Sequence, residues 1–129
     1  MVRSREYATI LMQKAAQDEY VVRTLAADPG APDAAIGFHA QQAVEKALKA
    51  VLAAHHVAFR WRHDLVELLD VLRDSGIPFP HDLDDVRRLT PFATEFRYDD
   101  LPAEEEEPFD RAWALNCVER VRNWAEAIL

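Results

Sequence analysis

Long apolar runs, glycine, serine and cysteine are what this sequence has little of. One cysteine, Cys117, among 129 residues leaves no internal disulfide to form, so stability must come from packing, and a reducing compartment suits the chain. Three isolated glycines, Gly30, Gly37 and Gly76, exclude a glycine-rich phosphate loop. The serines are only Ser4 and Ser75, both at expected helix ends, and Cys117 falls on an apolar stripe. Nucleophilic catalysis by a hydroxyl or a thiol is therefore poorly supplied. A membrane-spanning helix needs about 20 mostly apolar residues. The most apolar window, Ala31 to Leu52, is interrupted by Asp33, His39, Gln41, Gln42, Glu45, Lys46 and Lys49. Glu6 follows the basic start and no apolar core comes after it, so no secretory leader is read. The expectation is a cytoplasmic protein with no membrane segment. With one cysteine and no spaced histidine–glutamate motif, neither a structural metal nor a cofactor is expected.

What is present favours helix. Half of the residues are hydrophobic, and alanine, leucine, glutamate and arginine are plentiful. These side chains lose little rotamer freedom in a helix. The length matches one domain of roughly 100–150 residues, and no linker divides it, so residues 1–129 read as a single domain. A net charge of −8 argues against a general nucleic-acid binder. That charge is uneven: +2 up to His63 and −10 from Asp64 onward. The acidic half could repel nucleic acid or face a basic partner.

Apolar periodicity predicts five helical segments. The first runs from about Ser4, as N-cap, to Ala27, with Tyr7, Ile10, Leu11, Ala15, Val21, Val22 and Leu25 near helical spacing. Pro29-Gly30 and Pro32 end it. Asp33 is expected to cap a second helix over about Ala34 to His55, whose apolar stripe includes Ile36, Ala40, Val44, Leu48 and Leu52. Asp64 caps a third helix to about Ser75, stopped by Gly76. A fourth spans about Asp82 to Phe96, with a kink, a break or a fresh start where Pro91 removes a hydrogen bond. The last runs from about Pro108 to Leu129, with Trp113, Cys117, Val121 and Trp124 inward. No stretch alternates at period two. The fold expected is all-α, an up-and-down antiparallel bundle of four to five helices.

Chemistry-bearing residues gather in three places. On the second helix, His39, Gln42, Lys46 and Lys49 share one ridge, with Gln41 and Glu45 on the next. Any amphipathic helix carries a solvated polar ridge; this one combines amide, imidazole and ammonium groups, a mixture suited to a phosphate or a nucleotide. Arg97-Tyr98 offers a planar cationic fork beside a ring, or an arginine paired with Glu95, Asp99 or Asp100. Arg60-Trp61-Arg62-His63 places two cations, a stacking ring and a titratable imidazole side by side; as packing, Trp61 would plug a bundle end. Glu104 to Glu107 reads as a solvated acidic run, and the adjacent His55 and His56 make a poor chelate.

The second-helix run Phe38-His39-Ala40-Gln41-Gln42-Ala43-Val44-Glu45-Lys46-Ala47-Leu48-Lys49-Ala50 resembles the characteristic helix of the HEPN domain family. The His63-Asp64-Leu65 onset, the leucine-rich helix, the proline-rich break and Phe96-Arg97-Tyr98-Asp99 follow in the family's order. The resemblance implies a helical bundle that usually dimerises, often beside a minimal nucleotidyltransferase in toxin–antitoxin pairs. Many members are ribonucleases in which a histidine follows an arginine after four to six residues. Here the histidines are 39, 55, 56, 63 and 81, and none stands at that spacing. Three functions stay open. The first is a homodimeric binding module for a nucleotide or RNA, or for a nucleotidyltransferase partner, using His39, Gln42, Glu45, Lys46, Lys49, Arg97 and Tyr98. The second is a metal-independent ribonuclease using Arg60 or Arg62 with His63. The third is a purely structural dimer subunit.

Overall fold

Fourteen of the 22 residues of helix α2 (Asp33–Ala54) are buried, because neighbours cover it on several sides. The computed structural model describes residues 3–60, 62–93 and 109–129. Among these the elements are α1 (Arg3–Ala26), α2, α3 (Leu65–Asp74), a 3-10 helix (His81–Phe92) and α4 (Arg111–Ile128), with no strand. The all-α bundle expected from periodicity is what forms.

Small residues set how closely the helices approach. Ala8 and Leu11 of α1 meet Ala50 and Ala53 of α2 in one apolar cluster. Ala114, Cys117, Val118, Val121 and Ala125 of α4 join Ala40, Val44, Leu48 and Leu52 of α2 in the main core. Gly37 lies where α2 meets the ring of Phe92; a Cβ there would collide with that ring. Ile10 departs from the expected stripe and is exposed.

Arg111 locks the α1–α2 turn to α4. Its guanidinium donates to the carbonyls of Asp28 (2.8 Å) and Ala31 (2.7 Å) and to the Asp33 carboxylate (2.8 Å). Asp33 is thus a partner of Arg111; the expected cap position belongs to Pro32, and no side chain caps α2. The start of α4 beside the end of α1 makes α4 antiparallel to α1 and parallel to α2.

Caps fix the start of α3, the ends of α2 and α3 and the start of α4. The Asp64 carboxylate accepts from the Val66 and Glu67 amides, as expected. Gly76 takes φ +73, and the Ile77 amide returns to the Leu72 carbonyl, closing α3 in a Schellman turn. The end of α2 closes the same way with a non-glycine residue, His56, at φ +58. Helix α4 begins at Arg111, capped by the Asp110 carboxylate on the Trp113 amide, rather than at Pro108.

The segment read as a fourth α-helix is a 3-10 helix. Its apolar positions explain the change: Leu83, Val86 and Leu89 are buried, and Phe92 follows at the same spacing of three. That spacing eclipses side chains at 3.0 residues per turn. Trp113 and Trp124 sit half-buried at its flanks, their indole N–H groups on Asp85 (2.8 Å) and the Pro78 carbonyl (2.9 Å).

Candidate functional site

The polar ridge of α2 divides into two clusters that face different neighbours. One is a row at i, i+4 spacing: Gln41, Glu45 and Lys49, with 0%, 3% and 2% of their surface exposed. The expectation of a solvated ridge is corrected here, because the connector after α2 covers the row. Gln41 donates to Glu45 Oε1 (2.9 Å) and to the His63 carbonyl (3.2 Å). Lys49 donates to Glu45 Oε2 (2.9 Å) and lies 5.6 Å from the centre of the Phe59 ring. His63 Nδ1 stands 2.9 Å and 3.1 Å from the two Glu45 oxygens. Taking Glu45 out of water is tolerable because both oxygens are hydrogen-bonded and one partner carries a full positive charge.

His63 is the exposed end of this row, with 58% of its side chain open. Arg60 and Arg62 precede it on the connector, both exposed. Arg60 lies 3.5 Å from Glu67 of α3. Trp61, Arg97 and Tyr98, and with them the Glu104 to Glu107 run, lie outside the described residues.

The second cluster joins α1 to α2. Asp18, buried on α1, receives Lys46, and His39 Nδ1 stands 2.9 Å from its other oxygen. Gln42 donates to the Gln41 side chain at 2.7 Å and so joins the first cluster. The described α2 and connector residues predicted for the site therefore fall into His39 and Lys46 on Asp18, and Gln42, Glu45, Lys49 and His63 in the other cluster. Sequence reasoning missed Asp18 and the role of Gln41. The i, i+4 repeat of Gln41, Glu45 and Lys49 was visible; Asp18, distant in sequence, gave no signal.

Over residues 10–128 the chain matches the family model of the HEPN domain. It belongs to the HEPN domain family. Neither a curated protein nor a solved structure matches it.

Two other features of this HEPN domain lie apart from the predicted site residues. Burial pushes the Cys117 thiol up to about 12, and the Asp85 carboxylate acts in the same direction, so the group is a neutral thiol. A groove of about 740 Å³ between α1, α2 and α4 is lined by Ala15, Ala43 and Ala47 together with His55 and the Glu19–Arg122 pair, and none of the described predicted site residues lines it. Among the described residues no group of His, Cys, Asp and Glu could hold a metal ion, and no helix is long and apolar enough to cross a membrane.

Proposed function

We propose that this HEPN domain is a nucleotide- or RNA-binding module acting as a homodimer in the cytoplasm. One observation carries the reading: an exposed imidazole, His63, rests on a buried Gln41–Glu45–Lys49 row and is flanked by the exposed Arg60 and Arg62. Arginine forks recognise phosphate, and a fixed imidazole adds a directional contact beside them. Membership of the HEPN family supports the same general class. A minimal nucleotidyltransferase partner and a toxin–antitoxin setting come from the family habit alone. The ligand surface proposed is His63 with Arg60 and Arg62; His39, Gln42 and Lys46, and by sequence alone Arg97 and Tyr98, remain separate candidates. Glu45 and Lys49 act from beneath.

The test is fluorescence anisotropy of labelled single-stranded RNA across a salt series. Binding should weaken as salt rises, and the slope of log K against log salt should fall by about 0.7 for each arginine removed at position 60 or 62. No binding by RNA or mononucleotides at low salt would leave the structural-subunit reading. Light scattering should give twice the 14.7 kDa chain mass.

A second reading, metal-independent RNA cleavage, is favoured by the His63–Glu45 pair. A carboxylate-oriented imidazole can take the proton of a ribose 2′-hydroxyl while an arginine holds the phosphate charge. RNA incubated with the protein in chelator should then be cut, and His63→Ala should abolish cutting. Equal cutting by both proteins would assign it elsewhere.

A further inference from the structure

The nitrogen that His63 turns toward a ligand is decided by Glu45. A carboxylate held by Lys49 can only accept, so the proton between His63 and Glu45 belongs to Nδ1. In the neutral ring this leaves Nε2, on the far side, without a proton. His63 then presents a hydrogen-bond acceptor to whatever binds beside Arg60 and Arg62. Phosphate oxygens are acceptors too and gain nothing from such a group. A ribose hydroxyl, which donates, does.

Resting on the nucleotide-binding reading above, we propose that Glu45 is a positioning residue that makes His63 a reader of the ribose 2′-hydroxyl, so that the site prefers ribonucleotides to deoxyribonucleotides. The arginines supply affinity without regard to the sugar; the His63–Glu45 pair supplies the discrimination, since the 2′-hydroxyl is what separates RNA from DNA at one contact. Lys49 and Gln41 hold Glu45 from below, which fixes where the imidazole points. Glu45 lies against the ring and Lys49 holds Glu45 from beneath; Arg60, Arg62 and Asp64 are the ring's charged neighbours along the connector, and Glu67 of α3 pairs with Arg60. When the ring takes a second proton, Nε2 becomes a donor. The sugar preference therefore belongs to the neutral ring.

The experiment compares short oligoadenylates with ribose, deoxyribose and 2′-O-methylribose by anisotropy at about pH 8.5, above the ordinary imidazole range. Chelator is present throughout. The ribose form should bind about five- to tenfold tighter than either of the others, the worth of one neutral hydrogen bond. The Glu45→Leu/Lys49→Met double variant, which removes the buried pair together, should bind all three alike at the strength of the wild type's deoxyribose complex. In parallel, long-range ¹H–¹⁵N spectra should show His63 protonated on Nδ1 in the wild type. In the double variant it should relax to the Nε2-protonated form of an unconstrained imidazole. Equal binding of ribose and deoxyribose forms by the wild type overturns the proposal while leaving nucleotide binding standing. So does tight binding of the 2′-O-methyl form, which cannot donate. An Nδ1-protonated ring that persists in the double variant overturns the role of Glu45. Failure of all three oligonucleotides to bind removes the nucleotide-binding reading and this inference with it.

Discussion

Replacing Lys49 by methionine isolates what the buried pair does for stability. The side chains of Lys49 and Glu45 are each 3% exposed, so water cannot take over when the ammonium is removed. Methionine fills nearly the same volume as the lysine stem, which keeps packing close to constant. What remains is a buried carboxylate without its counter-charge. Breaking one side of such a pair costs about 3–5 kcal/mol. Gln41 and His63 still donate to Glu45, which places the loss near the low end, about 3 kcal/mol. For a chain of 129 residues this corresponds to roughly a 10 °C fall in melting temperature. Urea unfolding followed by circular dichroism, at one protein concentration, should show the midpoint falling with the slope unchanged. The Glu45→Leu/Lys49→Met double variant should recover to within about 1 kcal/mol of the wild type, because no orphaned charge is left. The reasoning fails if Lys49→Met costs less than about 1 kcal/mol. It fails equally if the double variant is as unstable as the single one, since the loss would then be packing.

Three other perturbations test separate parts of the structure. Leu48 is fully buried in the centre of α2, and Leu48→Ala should cost about 2–5 kcal/mol in the same urea assay; an unchanged midpoint would misplace the core face. Arg111→Ala should cost about 1.5–3 kcal/mol as the carbonyls it collects at the α1–α2 turn lose their partner, and Arg111→Lys should restore only part because an ammonium lacks the planar fork. Cys117, with its thiol pushed up to about 12, should react with a thiol reagent at pH 8 only after denaturation. The sign of its linkage follows: the folded state keeps a proton that the unfolded chain releases near 9, so stability should fall as pH rises from about 9 toward 12.

Much of the fold was legible because local chemistry dictates it. Alanine and leucine at helical spacing, Asp64 before an apolar run and Gly76 after one specify helices and their ends without reference to the rest of the chain. The second-helix run also carried the family, which the match over residues 10–128 bears out. The 3-10 helix was half legible: the spacing of three at Leu83, Val86 and Leu89 was in the sequence, but an α-helical period also accommodates those positions until packing against Gly37 and α3 is known. His56 at φ +58 gave no sign, since only the return of the chain toward α3 demands it.

The sequence by itself determined which side chains lie along each helix, because i, i+3 and i, i+4 neighbours follow from the pitch. Tertiary structure alone decided which polar residues are solvated and which are enclosed. His39, Lys46 and Lys49 share a ridge by spacing. Yet Lys46 meets Asp18 across α1, while Lys49 is sealed beneath the connector with Glu45. Burial depends on what covers a face, and the covering residues come from elsewhere in the chain. The same holds for His63: its neighbours in sequence are two arginines, but the partner that fixes its proton is Glu45, a full helix end away, brought to 2.9 Å only when the connector folds back over α2.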